Sequence, residues 1–315
     1  MNINELSIDI VVPVYNEVGV VELIHKRICD VVDSLTCKVH LIYVDDGSLD
    51  GTVDTLRKLG ENDPRLILLQ LSRNFGHQAA LTAGMDAARG DVVITMDGDG
   101  QHPPEMIPQM LELISQGYDI VQTQRMDDAQ PASFKKWTSG LFYRLINTIS
   151  GTEIPPGTAD FRALSRQAVD ALKSMPEYHR FLRGMVSFIG YKSVILPYQP
   201  SKRISGVSKY SLAKMIRLAM DAIFSFSLVP LYIGLSFGAL LFCLAALEMV
   251  YVISSWVTGQ TSNVAPGWSS LMFVILMVGG VLMAQLGFIA VYVGYIFQEV
   301  KRRPVYLYKG EKGNE

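Results

Sequence analysis

Ala222 to Leu247 contains no charged side chain, and neither does Met249 to Gln298; Glu248 alone separates them. The second run is interrupted at Thr258–Trp268, where Gly259, Asn263, Pro266 and Gly267 favour a turn. Two helices follow, about Leu228–Val257 and Ser269–Gln298, each longer than the roughly 20 residues that cross a bilayer core. The competing reading is a helical hairpin buried in a soluble protein. It asks for an amphipathic stripe, which runs apolar on all sides do not offer. A mean hydropathy of +0.24 beside 18% charged residues fits a chain with one polar and one strongly apolar part.

The flanks give an orientation. Lys202, Arg203, Lys209, Lys214 and Arg217 precede the first run, Lys301, Arg302 and Arg303 follow the second, and the connecting loop has no Lys or Arg. Positive charge stays on the cytoplasmic side, so both ends of the pair are expected there. Trp256 and Trp268 stand where interfacial aromatics belong, and Glu248 is expected to face a partner helix or the interface. Between the polar part and the first span, Leu212, Met215, Ile216, Ala219, Ile223 and Phe226 line one side of a helix. That pattern suits a helix lying in the membrane interface or one packed on a sheet. The expected domains are therefore 1–210, an interfacial helix at 211–227, a membrane hairpin at 228–298 and a cytoplasmic tail at 299–315.

The polar part alternates short apolar runs with helix-like segments. Strands are expected at Ile8–Pro13, Val39–Asp45, Leu66–Leu71 and Val92–Asp97, with helices at Val18–Leu35, about Gly51–Asn62 and Gln78–Arg89. Apolar strands separated by helices imply an α/β fold with a parallel, doubly wound sheet, whose working residues sit at the carboxyl ends of the strands. A net charge of −2 gives no basic footprint, which excludes nucleic acid as a partner. Cys29, Cys37 and Cys243 form no metal-spaced cluster, and the amino terminus shows no basic leader.

Three strand ends carry chemistry. Met96-Asp97-Gly98-Asp99-Gly100-Gln101-His102 puts two carboxylates and an amide where oxygen ligands can gather around a hard cation such as Mg²⁺ or Mn²⁺. Aspartates at strand ends also cap helices, and His102 beside two prolines reads first as structural. Pro13-Val14-Tyr15-Asn16-Glu17 and Asp45-Asp46-Gly47-Ser48 end two neighbouring strands with an aromatic and carboxylates, enough for a nucleoside pocket and also for plain turns.

The ordered motifs V-P-V-Y-N-E, V-D-D-G-S-x-D-G-T, S-R-N-F-G-H-Q-A-A-L, M-D-G-D-G-Q-H-P-P-E and R-I-S-G-V-S-K-Y resemble family 2 glycosyltransferases of the Rossmann-like GT-A fold. Within them the chain is most similar to the dolichyl-phosphate mannose synthase-like branch, and to bacterial polyprenyl-phosphate glucosyltransferases of the GtrB type. The resemblance implies a nucleotide-sugar donor, a polyprenyl phosphate acceptor, a bilayer around two spans, and a bacterial plasma-membrane location. It assigns Pro13, Tyr15, Glu17 and Asp46 to the base and ribose, and Asp97, Asp99 and Gln101 to the metal and diphosphate. Arg203 and Lys209 become a basic lid, Arg125 and Lys135 meet the lipid phosphate, and Asp160 faces the sugar acceptor site. A homo-oligomer, with a tetramer as one form, is a further expectation. Where the family commonly has D-A-D-L-Q, this chain has D-G-D-G-Q, which loosens the backbone at Gly98 and Gly100.

The implied reaction is an inverting displacement by the lipid phosphate, with glucose from UDP-glucose as the expected donor and GDP-mannose as the alternative. Asp160 then orients groups or accepts a proton. A processive polysaccharide synthase would carry Q-x-x-R-W and more spans, and Q-x-x-R-W is absent. A non-catalytic membrane scaffold would not need Asp97, Asp99, Arg203 and Lys209 together.

Overall fold

The computed structural model describes residues 6–126, 157–178, 180–199, 229–258 and 267–309. Lys135, Arg203, Lys209 and the expected interfacial helix at 211–227 lie outside the described residues. The chain forms two units, Met1–Met215 with Arg303–Glu315, and Ile216–Arg302.

In the first unit β1 (Ser7–Val14), β2 (Lys38–Asp45), β3 (Leu66–Gln70) and β4 (Val92–Thr95) alternate with α1 (Val21–Val32), α2 (Thr52–Asn62) and α3 (His77–Ala87). These strands pair in parallel, β1 lying between β2 and β4. Every residue of β1 after Ser7 is buried, as a strand covered on both faces requires. Asp9 is tolerated there because its carboxylate accepts the N–H groups of Arg89 and Gly90 at 2.6 and 2.7 Å, and meets His40 Nδ1 at 2.9 Å. Helix α1 presents Val21, Ile24, Ile28 and Val32 to the sheet at three- and four-residue spacing.

The remaining elements are α4 (Ile107–Ser115), β5 (Ile120–Arg125), β6 (Thr158–Ser165), α5 (Arg166–Ser174), α6 (Leu182–Phe188) and β7 (Ser193–Tyr198). The sheet order is β3-β2-β1-β4-β6-β5-β7, and β6 runs antiparallel to both β4 and β5. The all-parallel expectation is thus corrected to a mixed sheet. The chain re-enters the sheet at the end where β5 finishes: Arg125 N–H donates to Gly157 O at 3.1 Å, so β6 has to run back the other way.

Helix α3 lies close against the sheet. An added Cβ at Gly84 would run into Val11 Cγ1 and come within 3.1 Å of Val44 Cγ2, so only glycine permits this approach.

The second unit holds α7 (Val229–Val257, 29 residues) and α8 (Trp268–Lys301, 34 residues). They pack on each other, with Gln285 Nε2 donating to Gly234 O. Large apolar side chains such as Phe242 and Met283 face outward. Among the described residues, Met277–Lys301 is long and apolar enough to cross a bilayer; in α7 the stretch Gly234–Leu244 is shorter.

Gly84→Ala is expected to destabilise the protein despite the roughly 1 kcal/mol by which alanine favours a helix over glycine. Overpacking against Val11 and Val44 costs about 1–3 kcal/mol. Thermal unfolding of the full chain in detergent reads the difference, and an equal or higher midpoint would show that α3 can lift without cost.

Candidate active site

Parallel pairing brings the ends of β1, β2 and β4 to one rim, and hydrogen bonds then join their turns. Asn16, at φ 53°, donates through its N–H to Ser48 Oγ at 2.9 Å and accepts Leu49 N–H on Oδ1 at 2.9 Å. Glu17 N–H donates to Thr52 Oγ1 at 3.0 Å. Asp46 accepts the N–H groups of Phe75 and Gly76, one on each oxygen, at 2.7 and 2.9 Å. Burial pushes the Asp46 carboxyl upward, against the pull of those two bonds. Tyr15, Glu17 and Asp46 therefore belong to one knitted surface, with Asp46 fixing the loop that starts α3.

Pro13 occupies β1 two residues past the last β1–β4 pair, Val11 with Thr95, so its missing N–H removes nothing from that ladder. Its carbonyl explains the first glycine of D-G-D-G-Q. A Cβ at Gly98 would lie 2.9 Å from Pro13 O and 2.8 Å from Val14 Cγ1, while Gly100 has φ +78°. Both glycines are demanded by the backbone around the carboxylates.

Asp97 is held by two histidines. His77 Nε2 lies 2.7 Å from its Oδ1, and its own N–H donates to His102 Nδ1 at 2.9 Å. Withdrawal from water opposes ionisation of Asp97, but His77 and His102 outweigh it and keep the carboxyl below its ordinary value. His77 moves upward in return, to about 9, because the Asp97 carboxylate outweighs the partial withdrawal of its half-exposed ring from water. His102 is buried, stacked on Phe161 at 5.2 Å and edge-on to Tyr198, as a structural residue would be. Asp99 accepts Gln101 N–H at 3.0 Å and Gln101 Nε2 at 2.6 Å, and Gln101 Oε1 accepts from Arg125 Nη1 at 3.0 Å.

Asp160 is 5% exposed at the start of β6. Its Oδ1 is 2.5 Å from Arg162 Nη2 and its Oδ2 is 3.0 Å from Arg183 Nη2, on α6. Burial would raise its pKa, yet Arg183 and Arg162 hold it well below the carboxylate range. A carboxylate so clamped is a poor proton acceptor. Removing one partner from such a buried cluster typically costs about 3–5 kcal/mol.

His77, Arg162 and Arg183 were not singled out from the sequence. His77 stands inside the S-R-N-F-G-H motif, but nothing local marks it as a partner of Asp97, 20 positions away. Arg183 is one of many arginines until α6 folds over Asp160. The rim does not include the His25, Cys29 and Asp63 cluster, whose donor atoms lie within 4.8 Å of one another. Asp63 precedes β3, at the opposite end of the sheet. Arg65 already pairs with it through Nε at 2.9 Å, and burial raises the Cys29 thiol to about 11, so a guanidinium fills the place a metal would take.

The family model described as "Glycosyl transferase family 2" matches residues 9–173. The chain is 38% identical over 310 residues to "Uncharacterized glycosyltransferase YkcC" of Bacillus subtilis, covering 98% of this chain and 95% of that one. It is 36% identical over 311 residues to "Bactoprenol glucosyl transferase" of Shigella phage SfV, covering 98% and 99%. Among solved structures it resembles glucosyl-3-phosphoglycerate synthase from Mycobacterium tuberculosis in complex with Mn²⁺, UDP and glucosyl-3-phosphoglycerate, at TM-score 0.49 and 18% identity, covering 70% and 80%. By the reach of the family model and of these full-length likenesses, the chain belongs to glycosyl transferase family 2.

Proposed function

We propose that this protein is an inverting glycosyltransferase that moves glucose from UDP-glucose onto a polyprenyl phosphate at the cytoplasmic face of a bacterial plasma membrane. The observation that carries this reading is the end-to-end likeness to a bactoprenol glucosyl transferase, which spans the sheet unit and the apolar helices alike. Donor and acceptor halves are therefore related together.

The rim supports the donor half. Tyr15, Pro13 and Glu17 line the base and ribose pocket, and Asp46 shapes it by holding the Phe75–Gly76 loop. Asp97, Asp99 and the Gln101 amide oxygen form a hard-oxygen set suited to Mg²⁺ or Mn²⁺. His77 and Arg125 now bond Asp97 and Gln101, and a cation bound there would take over those oxygens and displace both. A divalent cation bound there would neutralise charge on the departing diphosphate. The family resemblance assigns Arg203 and Lys209 to the donor phosphates and Arg125 and Lys135 to the acceptor phosphate; Arg203, Lys209 and Lys135 lie outside the described residues.

In the reaction an oxygen of the lipid phosphate bonds to the anomeric carbon as the bond to the nucleoside diphosphate breaks, inverting that carbon. A phosphate monoester has its second pKa at about 6, so the nucleophile is mostly ionised near neutral pH and needs no strong base. Asp160 accordingly acts by holding Arg162 and Arg183 in place.

The acceptor half needs the membrane. At 1.5 Å per residue α7 and α8 are about 44 and 51 Å long, more than a bilayer core of about 30 Å. Lys301, Arg302 and Arg303 after α8, and the lack of Lys or Arg between α7 and α8, fit two crossings with both ends on the cytoplasmic side.

Transfer of radiolabelled glucose from UDP-glucose to polyprenyl phosphate should require Mg²⁺ or Mn²⁺ and be lost in Asp99→Ala. Transfer only from GDP-mannose would redirect the donor assignment, and none from a panel of UDP- and GDP-sugars would sink the reading. Asp160→Asn should lower kcat at least about tenfold, a loss of about 1.4 kcal/mol or more in transition-state stabilisation. The acidic limb of the pH–rate profile should stay where it is; a limb that moves with the substitution would make Asp160 the proton acceptor. Gly100→Leu should lower activity as well, since a side chain at φ +78° costs about 1–3 kcal/mol of strain. Parental turnover in that variant would show that the loop can re-form around a leucine.

A further inference from the structure

Residues 303–309, two positions beyond the end of α8, belong to the sheet unit. Tyr308 forms an antiparallel bridge with Leu71, Ser72 N–H donates to Leu307 O at 2.8 Å, and Lys309 N–H donates to Gln70 O at 2.7 Å. The segment thus adds to the outer edge of the sheet, past β3, where strand backbone otherwise stands open. Its two tyrosines turn toward α3. Tyr306 OH donates to Asp86 Oδ2 at 2.9 Å, Tyr308 OH donates to Ala83 O at 3.4 Å, and the two rings meet edge-on at 5.3 Å.

Helix α3 links this edge to the rim. Its first residue, His77, stands on Asp97, and Gln78 Oε1 accepts Leu182 N–H at 3.2 Å from the helix that carries Arg183. At its far end Lys173 Nζ reaches Asp86 O and Ala88 O, both at 3.2 Å, and Arg166 Nη1 reaches Ala88 O at 2.9 Å. These cations satisfy the carbonyls that a helix leaves unpaired at its carboxyl end. They grip the backbone, whereas Tyr306 grips the Asp86 side chain and ties α3 to the segment that follows the second apolar helix. A packed helix moves as a rod, so what fixes Asp86 also fixes where His77 meets Asp97.

We infer that Tyr306 and Tyr308 are positioning residues for the donor site, acting through α3 on the His77–Asp97 contact, so that the site is complete only with residues 303–309 docked. The inference rests on the assignment of Asp97 to the donor side. Its test uses the full chain in detergent or lipid discs, comparing the parent with Tyr306→Phe/Tyr308→Phe, Asp86→Leu and Asp86→Asn. Loss of a hydrogen bond worth about 1 kcal/mol at this lever predicts a rise of about fivefold in KM for UDP-glucose, with kcat changed less. Amide exchange across residues 77–87 should speed up in Tyr306→Phe/Tyr308→Phe and in Asp86→Leu. Asp86→Asn keeps an acceptor for Tyr306 and should stay near the parent. Faster exchange with an unchanged KM would make the tyrosines merely structural and overturn the inference, as would unchanged exchange in the double variant. If the parent neither binds nor turns over any nucleotide sugar, the donor-site reading fails instead, while the exchange comparison still reports on the docking.

Discussion

Strand β1 is paired in parallel on both sides, and the chemistry at the rim hangs on that arrangement. Val14 lies opposite Asp45 and Val11 opposite Thr95, so the turns after β1, β2 and β4 open at one end of the sheet. Parallel pairing is attainable because each strand is apolar enough to be covered on both faces. The turns are then closed by side chains of their own motifs: Asn16 with Ser48 and Leu49, Asp46 with Phe75 and Gly76. Motif residues that read as ligand contacts are thus also the fasteners of the pocket. Substituting Asp46 would disturb the β3–α3 loop before it disturbed any ligand.

The second organising constraint is charge. Carboxylates drawn out of water cost several kcal/mol each unless paired and hydrogen-bonded. This rim holds Asp97 and Asp160 by drawing in His77, Arg162 and Arg183. The partners come from α3, β6 and α6, so the electrostatics tie the parallel half of the sheet to the half that contains the antiparallel strand. Asp97 and Asp160 differ in consequence. Arginines cannot give up their protons, so Asp160 stays locked. Histidine can be displaced or neutralised, so Asp97 has a partner that it can exchange.

The first four strands and the intervening helices were legible to within a few residues, because continuous Val/Ile/Leu runs and helical spacing are local signals. The reversal at β6 was not. Thr158–Ser165 carries Asp160 and Arg162, which look exposed until each is seen to neutralise the other. At the rim, the sequence could name Asp97, Asp99 and Gln101 by their spacing. It could not show that Gly98 is forced by Pro13 O, nor that His77 reaches back across 20 positions. Contacts between distant elements leave no periodicity to read. The same holds for the expected cytoplasmic tail at 299–315, whose contacts with β3 and α3 have no local signal. In retrospect the alternation Val305-Tyr306-Leu307-Tyr308 carries a strand signal, though too short to stand alone.

That tail bears on why the apolar helices and the sheet share one chain. A simple tether would need one helix and could end in solvent. Here the chain returns, and its last described residues are spent on the β3 edge and on α3. Ordering those residues costs roughly 1–2 kcal/mol apiece in backbone entropy, which two main-chain bonds and the tyrosine contacts must offset. The balance is helped by connectivity. A segment that is part of the same chain meets its docking edge at a high effective concentration, so it loses less entropy than a separate peptide would. Docking should therefore be favoured while the hairpin is anchored and weaken when the link is cut. A sheet domain severed from α8 would lose the segment even if residues 303–315 were supplied as a separate peptide at ordinary concentrations.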